Sequence, residues 1–547
     1  MKINRLTHLL VVAAIVVISL PVHGQKTANN SSTAKRPNIL CLVTEDIGPY
    51  IGCYGDPYAS TPNLDKFATE AIRYTRMFTT IGVCAPSRAS LITGLYPTFF
   101  GANYMRTSNT KPLTEGLVAP YEAVPAAGVK CYTEFLREAG YYCTNNAKQD
   151  YQFKAPITAW DENGKTAHWK NRPANMPFFS IFNMEITHES QVWERANEPL
   201  VIDPATITPP PYHPNNEIVR KDWAIVYSNI HAMDELVKKY IDEVKDAGLL
   251  DNTIIIWYSD NGGPLPRQKR ELYESGALVP FMIRFPDGRF AKIVNDRLLM
   301  FADIPATILS LADIKPPSYM QGIPFLGKYN GQKREYVYGA RDRLDEIVER
   351  QTSVRDKRYR LVHNYLPEKS GYMEILSRLS MPMMQNMVDL YKKGELKEAE
   401  RKWFDKPRRN EEFYDVDKDP HEMNNLIDDP QYKSTIERLR KELKLQDKKY
   451  NPYLGLSEAE LREKLWPGGN QPLVEQPVFT ELADGKIKIN CITKGASIAY
   501  QVNGKGLREN HWFLYSKPIA LKKGDILTAV ATRIGYKPSE PEKFEKK

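Results

Sequence analysis

Cys84 opens an eleven-residue stretch, Cys84-Ala-Pro-Ser-Arg-Ala-Ser-Leu-Ile-Thr-Gly94, that sets a thiol and a fixed cation one helical turn apart. Pro86 suits the first turn of a helix, where its missing N–H has no partner to lose. Ala89, Leu91 and Ile92 continue a helical run, and Gly94 ends it. The spacing predicts a helix capped by Cys84, whose free N–H groups and positive dipole end favour an anion, with Arg88 aimed at the same place. Sulfate or phosphate would suit that corner. A buried structural cysteine before an ordinary helix is the competing reading.

Two further clusters lie at the ends of apolar runs. Asn38–Thr44 delivers Glu45 and Asp46, and Thr253–Ser259 delivers Asp260-Asn261-Gly262-Gly263; a third run, Phe178–Met184, leads to His188. Glu45, Asp46, Asp260 and Asn261 offer hard oxygen ligands for Ca²⁺ or Mg²⁺, the larger ion favoured by a crowded oxygen site. Taken singly, each pair serves equally as a turn or helix cap. Continuous apolar runs of this length suit central strands buried on both faces. Between them, Leu64–Tyr74 reads as a helix, and so does Glu217–Ala247, where Trp223, Ile230, Met233, Val237 and Ile241 recur at helical spacing before Gly248. The expected fold class is α/β, a central sheet sandwiched by helices, with ligands gathered at the carboxyl ends of the strands.

Composition bounds these readings. A chain of 547 residues, 42% hydrophobic and 26% charged, holds a large folded body plus smaller units. Residues 1–24 carry Lys2 and Arg5, an apolar stretch Leu9–Leu20, and Pro21 to Gly24, the pattern of a cleavable secretory signal. This predicts a periplasmic or secreted protein without stable membrane insertion. Its loss removes two basic residues and no acidic one, so the net charge falls from +8 to +6. A mild excess suits an anionic substrate, and the absence of a dense basic stripe argues against nucleic acid. The short basic runs Lys333-Arg334 and Lys406–Arg409 read as solvated faces. Six cysteines do not form a disulfide framework, and Cys131 and Cys143 could pair or remain free.

The Cys84-x-Pro-Ser-Arg88 stretch and the following Leu95-Tyr-Pro97 resemble the sulfatase family. So do Arg36-Pro-Asn-Ile-Leu40, Gly52-Cys-Tyr-Gly55, Thr61-Pro-Asn-Leu-Asp65, Leu272–Gly276, Val279–Arg284 and Phe413–Asn425, in the family's order across residues 35–446. The resemblance implies an alkaline-phosphatase-like fold with a mixed central sheet. It divides the chain into a catalytic domain over 33–334 and a smaller α+β subdomain over 335–466. It further implies that a formylglycine-generating enzyme oxidises Cys84 to formylglycine, whose hydrate bears two hydroxyls. One attacks sulfur; the other then re-forms the aldehyde and expels sulfate. Glu45, Asp46, Asp260, Asn261 and residue 84 would bind calcium, with Glu45 standing where the family commonly has aspartate.

The same resemblance gives Lys148 a place on the sulfate, and His188 and Lys269 places beside the ester oxygen. Asp150 stands where the family has a histidine, so the usual base is missing, and Asp150 is left as a candidate for the sugar. Arg343, with Arg341, follows a predicted strand and is a candidate for an acidic sugar or a solvated loop residue. The other histidines, His168, His213, His231, His363, His421 and His511, lack convergent partners in the sequence.

Beyond Pro467–Pro472, the alternating segments Lys486–Asn490, Ser497–Gln501 and Ile526–Thr532 predict a small antiparallel β-sandwich over 472–547. It resembles the chitobiase-type carboxyl-terminal module and is expected to pack on the catalytic domain rather than touch polysaccharide. The function implied is an exported sulfatase acting on a sulfated saccharide of a glycosaminoglycan, mucin glycan or algal glycan. Alternatives are a phosphonate monoester or phosphodiester hydrolase using the same modified cysteine, and a glycan-binding protein with unmodified Cys84.

Overall fold

The three apolar runs become adjacent parallel strands over the spans their sequence predicts: β1 (Asn38–Thr44), β5 (Phe178–Met184) and β6 (Thr253–Ser259). The computed structural model describes residues 36–107, 118–508 and 510–547; the signal expected over residues 1–24 lies outside them. Residues Pro37–Lys547 form one compact unit. Among the described residues the main sheet has nine strands, in the order β4-β3-β5-β1-β6-β7-β2-β8 with β9 also on β2. The remaining members are β2 (Ala71–Phe78), β3 (Tyr142–Asn146), β4 (Glu162–Asn163), β7 (Leu278–Arg284), β8 (Val294–Asn295) and β9 (Leu299–Met300). Pairing is parallel from β4 to β6 and antiparallel where β7 meets β6 and β2, so the sheet is mixed.

Strand alternation divides the apolar runs between two cores. Leu40, Leu42, Ile255 and Trp257 face the helix Glu217–Asp246 through Trp223, Ile230, Met233 and Val237. Ile39, Cys41, Val43, Ile254 and Ile256 face the other side, against Ala89, Ile92, Leu136, Ile304 and Ile308. Both faces of the sheet are therefore covered, which is why the central strands read as continuous apolar runs. The helix expected over Leu64–Tyr74 covers only Pro62–Glu70 before β2 begins. The reason is tertiary: Ala71 to Tyr74 pair with Phe281 to Arg284 of β7, and strand pairing overrides a locally helical apolar spacing.

The 335–466 region contains an antiparallel sheet of β10 (Val337–Arg341), β11 (Gln351–Arg355), β12 (Tyr359–Asn364) and β13 (Glu411–Asp415), backed by the helix Lys433–Tyr450. The terminal segment folds into a two-stranded ladder, β14 (Val478–Glu481) with β15 (Ile487–Asn490), and a four-stranded sheet of β16 (Ser497–Val502), β17 (Phe513–Leu514), β18 (Ile526–Thr532) and β19 (Glu542–Glu545). Its core is the inward-facing set Val474, Ile487, Ile489, Ile498, Leu527, Ala529 and Ala531. The six cysteines, Cys131 and Cys143 included, are all free thiols. Arg334, expected on a solvated face, instead pairs with Asp303 in the interior.

His213, without an evident partner in the sequence, ties this scaffold to a loop of the site. Trp223 Nε1–H donates to its Nδ1 at 3.2 Å, so Nε2 carries the hydrogen and donates to the Pro266 carbonyl at 2.8 Å. Burial holds its pKa down at about 3, helped by Arg267 and Arg378. A folded-state value below the ordinary 6.5 means that the unfolded chain binds the extra proton first. Stability from this residue is complete above about pH 6.5 and is lost as the pH falls toward 3, by on the order of 4 kcal/mol. Urea midpoints between pH 6.5 and 4 should fall less steeply for His213→Gln than for the unsubstituted chain; equal slopes would remove His213 from the account.

Candidate active site

The register of the central strands builds the site. Thr44 lies opposite Met184 of β5 and Ser259 of β6, so the residues that leave these strands emerge side by side. Asp260 N–H donates to the Thr44 carbonyl at 3.0 Å, and Asp46, in a left-handed turn with φ 51°, donates its N–H to Asp260 Oδ1 at 3.2 Å. Asn261 Nδ2 donates to Asp46 Oδ1 at 2.8 Å. Gly262 is required next, because a Cβ there would fall 2.4 Å from the Ser275 carbonyl oxygen.

The helix Cys84–Thr93 brings its first turn to this carboxylate group. Cys84 is the first helical residue and Val83, extended at φ −151°, is the cap, one position earlier than the sequence suggests. Gly94 closes the helix in the left-handed region, as expected. Arg88 spans the three strand ends: Nε donates to Asp260 Oδ2 at 2.9 Å, Nη1 to Asn183 Oδ1 at 2.7 Å, and Nη2 to Glu45 Oε1 at 3.4 Å. Asn183, on β5, has no sequence signal of its own. Its amide also donates to Asn145 and to the carbonyls of Asn146 and Lys148, which holds the loop that carries Lys148.

Two lysines complete the base. Lys148 Nζ donates to Glu45 Oε2 at 2.7 Å, and Lys269 Nζ to Asp46 Oδ2 at 2.7 Å, with Glu189 Oε1 at 3.3 Å. Glu189, which sequence reasoning missed, also takes a bidentate pair from Arg270 and lies 3.2 Å from Arg378. His188 Nδ1 accepts from Ser190 N–H at 3.3 Å, which leaves its Nε2–H as the donor. Lys269 and burial hold the His188 pKa down at about 3, so its imidazole is neutral at physiological pH.

The carboxylates differ. Burial pushes Glu45 up to about 7 despite Lys148 and Arg88, whereas Asp46, also opposed by burial, is kept below the usual range by Lys269 and His188. Burial pushes the Cys84 thiol up to about 12, so the unmodified sulfur is protonated at neutral pH and is no thiolate nucleophile. Glu45, Cys84 and His188 each present one potential ligand atom, all within 4.8 Å of one another. Asn261 Oδ1, wholly buried a short step away, has no hydrogen-bond partner. The oxygens of Glu45, Asp46, Asp260 and Asn261 suit a hard cation, which would satisfy the orphaned Asn261 Oδ1.

Above the buried base opens a polar cleft of about 580 Å³, lined by Glu45, Lys148, Asp150, Gln152, His188 and Ser190 among others. Cys84 and Lys269 lie beneath, fully buried. Asp150 thus stands where a substrate would enter. Arg343 does not: it is 2% exposed, its guanidinium is clamped by both oxygens of Glu458, and it donates to the Met105 and Asp345 carbonyls. With its donors committed, it has no edge to offer a sugar. Arg341 is likewise buried, on Glu271, and neither arginine is a solvated loop residue.

This geometry agrees with comparison to known proteins. The sulfatase family profile matches residues 37–314, and that of the N-sulphoglucosamine sulphohydrolase carboxyl-terminal region matches 267–406. An ulvan-active sulfatase from Formosa agariphila is 40% identical, over 98% of this chain and 97% of its own. Among solved structures, one determined in complex with its substrate D-glucosamine-2-N,6-O-disulfate shares the fold at TM-score 0.54 and 19% identity, over 76% of this chain and 99% of its own. The phosphonate monoester hydrolase of Agrobacterium radiobacter does so at TM-score 0.56 and 15% identity, over 76% and 96%. A helix-borne Cys-x-Pro-Ser-Arg turn set among acids and lysines at the ends of parallel strands, in a chain matched on this scale, makes the protein a member of the sulfatase family and an enzyme of sulfate-ester hydrolysis.

Proposed function

We propose that this enzyme removes sulfate from a sugar of an anionic polysaccharide, with Cys84 converted to formylglycine and Ca²⁺ held by Glu45, Asp46, Asp260, Asn261 and residue 84. The observation that carries the reading is the convergence of those four oxygen-bearing residues with Arg88, Lys148 and Lys269 around Cys84, beneath an open polar cleft that Glu45 and Lys148 line. Likeness to an ulvan-active sulfatase along nearly the whole chain favours a sulfated algal glycan over a glycosaminoglycan. Export through residues 1–24 would bring the enzyme to such a polymer. No helix among the described residues is long and apolar enough to cross a membrane.

As a formylglycine hydrate, residue 84 would offer two hydroxyls on one carbon, one to attack sulfur and one to let the aldehyde re-form, and Ca²⁺ held by Glu45, Asp46, Asp260 and Asn261 would supply charge that acidifies the first. The chain's own side chains do the rest. Arg88, Lys148 and Lys269 offset the charge of the sulfuryl oxygens. His188 presents Nε2–H to the leaving sugar oxygen; an anionic ester beside it would counter the Lys269 field, so that the imidazole takes up a second proton and, as imidazolium, passes Nε2–H to the departing oxygen and returns to neutral. Asp150, beside Lys148 on the cleft wall, faces the sugar.

Sulfate release from ulvan oligosaccharides, sulfated glycosaminoglycan disaccharides and phosphonate or phosphodiester substrates tests the reading. Release from the first group should dominate, and dominant phosphonate cleavage would replace it with the second hydrolase class. The mass of the tryptic peptide containing residue 84, from protein made in its native host, should show the aldehyde; an intact thiol would leave only glycan binding. Chelation should abolish turnover and lower the unfolding temperature, and Ca²⁺ should restore both better than Mg²⁺.

A further inference from the structure

The terminal β-module does more than pack on the catalytic domain: it walls a second cleft beside the first. This cleft, of about 630 Å³, is lined on the catalytic side by Lys154, Ile157 and Trp160, and on the module side by Arg533, Tyr536 and Lys537. Glu122, Gln149 and Lys154 line both clefts, so the second adjoins the opening above Lys148, Asp150 and His188. Each is of a size that holds a ligand, roughly 300–1,000 Å³.

The walls are held in place by the docking of the module. His511 Nδ1 accepts from Leu507 N–H, so its Nε2–H donates to Asp161 Oδ1 at 2.9 Å. Arg137 bridges Asp161 and the Trp512 carbonyl, Arg508 pairs with Glu162, and Arg533 donates to the Pro125 carbonyl. Gly535 lies so close to the catalytic domain that a Cβ would fall 2.5 Å from the Ala123 carbonyl oxygen. Of the three acids that line this cleft, Asp161 is paired with Arg137 and accepts from His511 Nε2–H, Glu162 is paired with Arg508, and Glu122 accepts from the Lys154 backbone N–H at 3.0 Å.

Three cations line it as well: among the described residues none of Lys154, Arg533 and Lys537 forms a salt bridge, Lys154 acts on Glu122 at longer range, and Lys154 and Lys537 are exposed. Arg533 lies over the Tyr536 ring at 4.3 Å, and Trp160, stacked on Phe179, is a buried part of the opposite wall. Cations without a salt bridge answer carboxylate or sulfate groups. We propose that this groove binds the continuation of the substrate chain, so that the module supplies distal subsites for an acidic oligosaccharide whose sulfated residue occupies the cleft over Cys84. This rests on the proposed saccharide substrate and extends it from a sulfated sugar to a polyanionic chain of several sugars.

Charge reversal on each wall tests it: Lys154→Glu on the catalytic side and Lys537→Glu on the module, both solvent-facing and clear of the buried docking contacts. The readout is the ratio of kcat/KM for a sulfated ulvan hexasaccharide to that for the sulfated disaccharide, in the full chain. Loss of one charge-assisted contact should lower this ratio about tenfold in each variant. An unchanged ratio, or equal loss on both lengths, would overturn the groove. Affinity electrophoresis of Cys84→Ala protein in ulvan separates this from the activity reading. If the unsubstituted enzyme releases no sulfate from either length, retardation that is weakened by Lys537→Glu keeps the groove while the sulfatase substrate falls; no retardation removes both.

Discussion

Cys84→Ala should abolish sulfate release while leaving the fold intact. The side chain is wholly buried, but only its sulfur is lost, and a single small deletion in a packed site costs about 1 kcal/mol. Turnover should instead fall by the full contribution of covalent catalysis, roughly 10⁴-fold or more, because Arg88 and the two lysines bind the ester without attacking it. Cys84→Ser separates the nucleophile from the second hydroxyl. Its single hydroxyl can take sulfate from one substrate molecule but cannot expel it by re-forming an aldehyde. The expected result is an inactive or single-turnover protein, and mass spectrometry of the residue 84 peptide should show a sulfated serine in the latter case. Sustained multiple turnover by the serine variant would refute the proposed role of the residue.

Asp260→Ala should be the most damaging change among the carboxylates, in both activity and stability. Asp260 is fully buried and accepts from Arg88 Nε and from the Asp46 backbone N–H, so its removal strands a buried guanidinium and loosens the turn that presents Asp46. Breaking such a pair costs about 3 kcal/mol, and Arg88 keeps only Asn183 and the longer contact to Glu45. Loss of an oxygen ligand and misplacement of Arg88 should together reduce kcat/KM roughly a thousandfold. Asp260→Asn keeps the shape and the acceptor for Asp46 N–H but sets an amide NH2 against Arg88 Nε–H, so it should recover only part of the stability and little of the activity. Metal content by atomic emission and thermal unfolding of the two variants distinguish the effects. Stoichiometric calcium with normal turnover in Asp260→Ala would remove the residue from the proposed metal set.

Where local pattern and final environment agree, the sequence reads correctly. β1, β5 and β6 end where their apolar runs end because burial on both faces selects apolar residues at every position. The helix Glu217–Asp246 keeps one apolar stripe from Trp223 to Val237 because it covers a single face of the sheet. Ala71–Tyr74 failed that test: its apolar spacing is helical, yet β7 offered a strand edge and pairing decided. Arg343 failed for a related reason, since its carboxylate partner Glu458 lies 115 residues away and nothing local announces it. Asn183 and Glu189 have no motif either; one is exposed as a partner only by the register of β5 on β1, the other by the approach of Arg270 and Lys269.

By itself the sequence determined which residue types gather around residue 84: a thiol at a helix start, Arg88 one turn on, oxygen-bearing side chains at two strand ends, and two lysines and a histidine that resemble the family's pattern. Side-chain type and short spacing carry that information, because helix geometry and strand ends are local. Only the tertiary structure decided which charges meet. It set Lys148 on Glu45, Lys269 on Asp46 and Glu189, and Arg88 across three strands, withdrew Arg343 into the interior, and opened a groove between the catalytic domain and the terminal module. Those outcomes depend on strand register and on contacts across hundreds of residues, and burial gives each of them its strength by removing the water that would otherwise screen the charges.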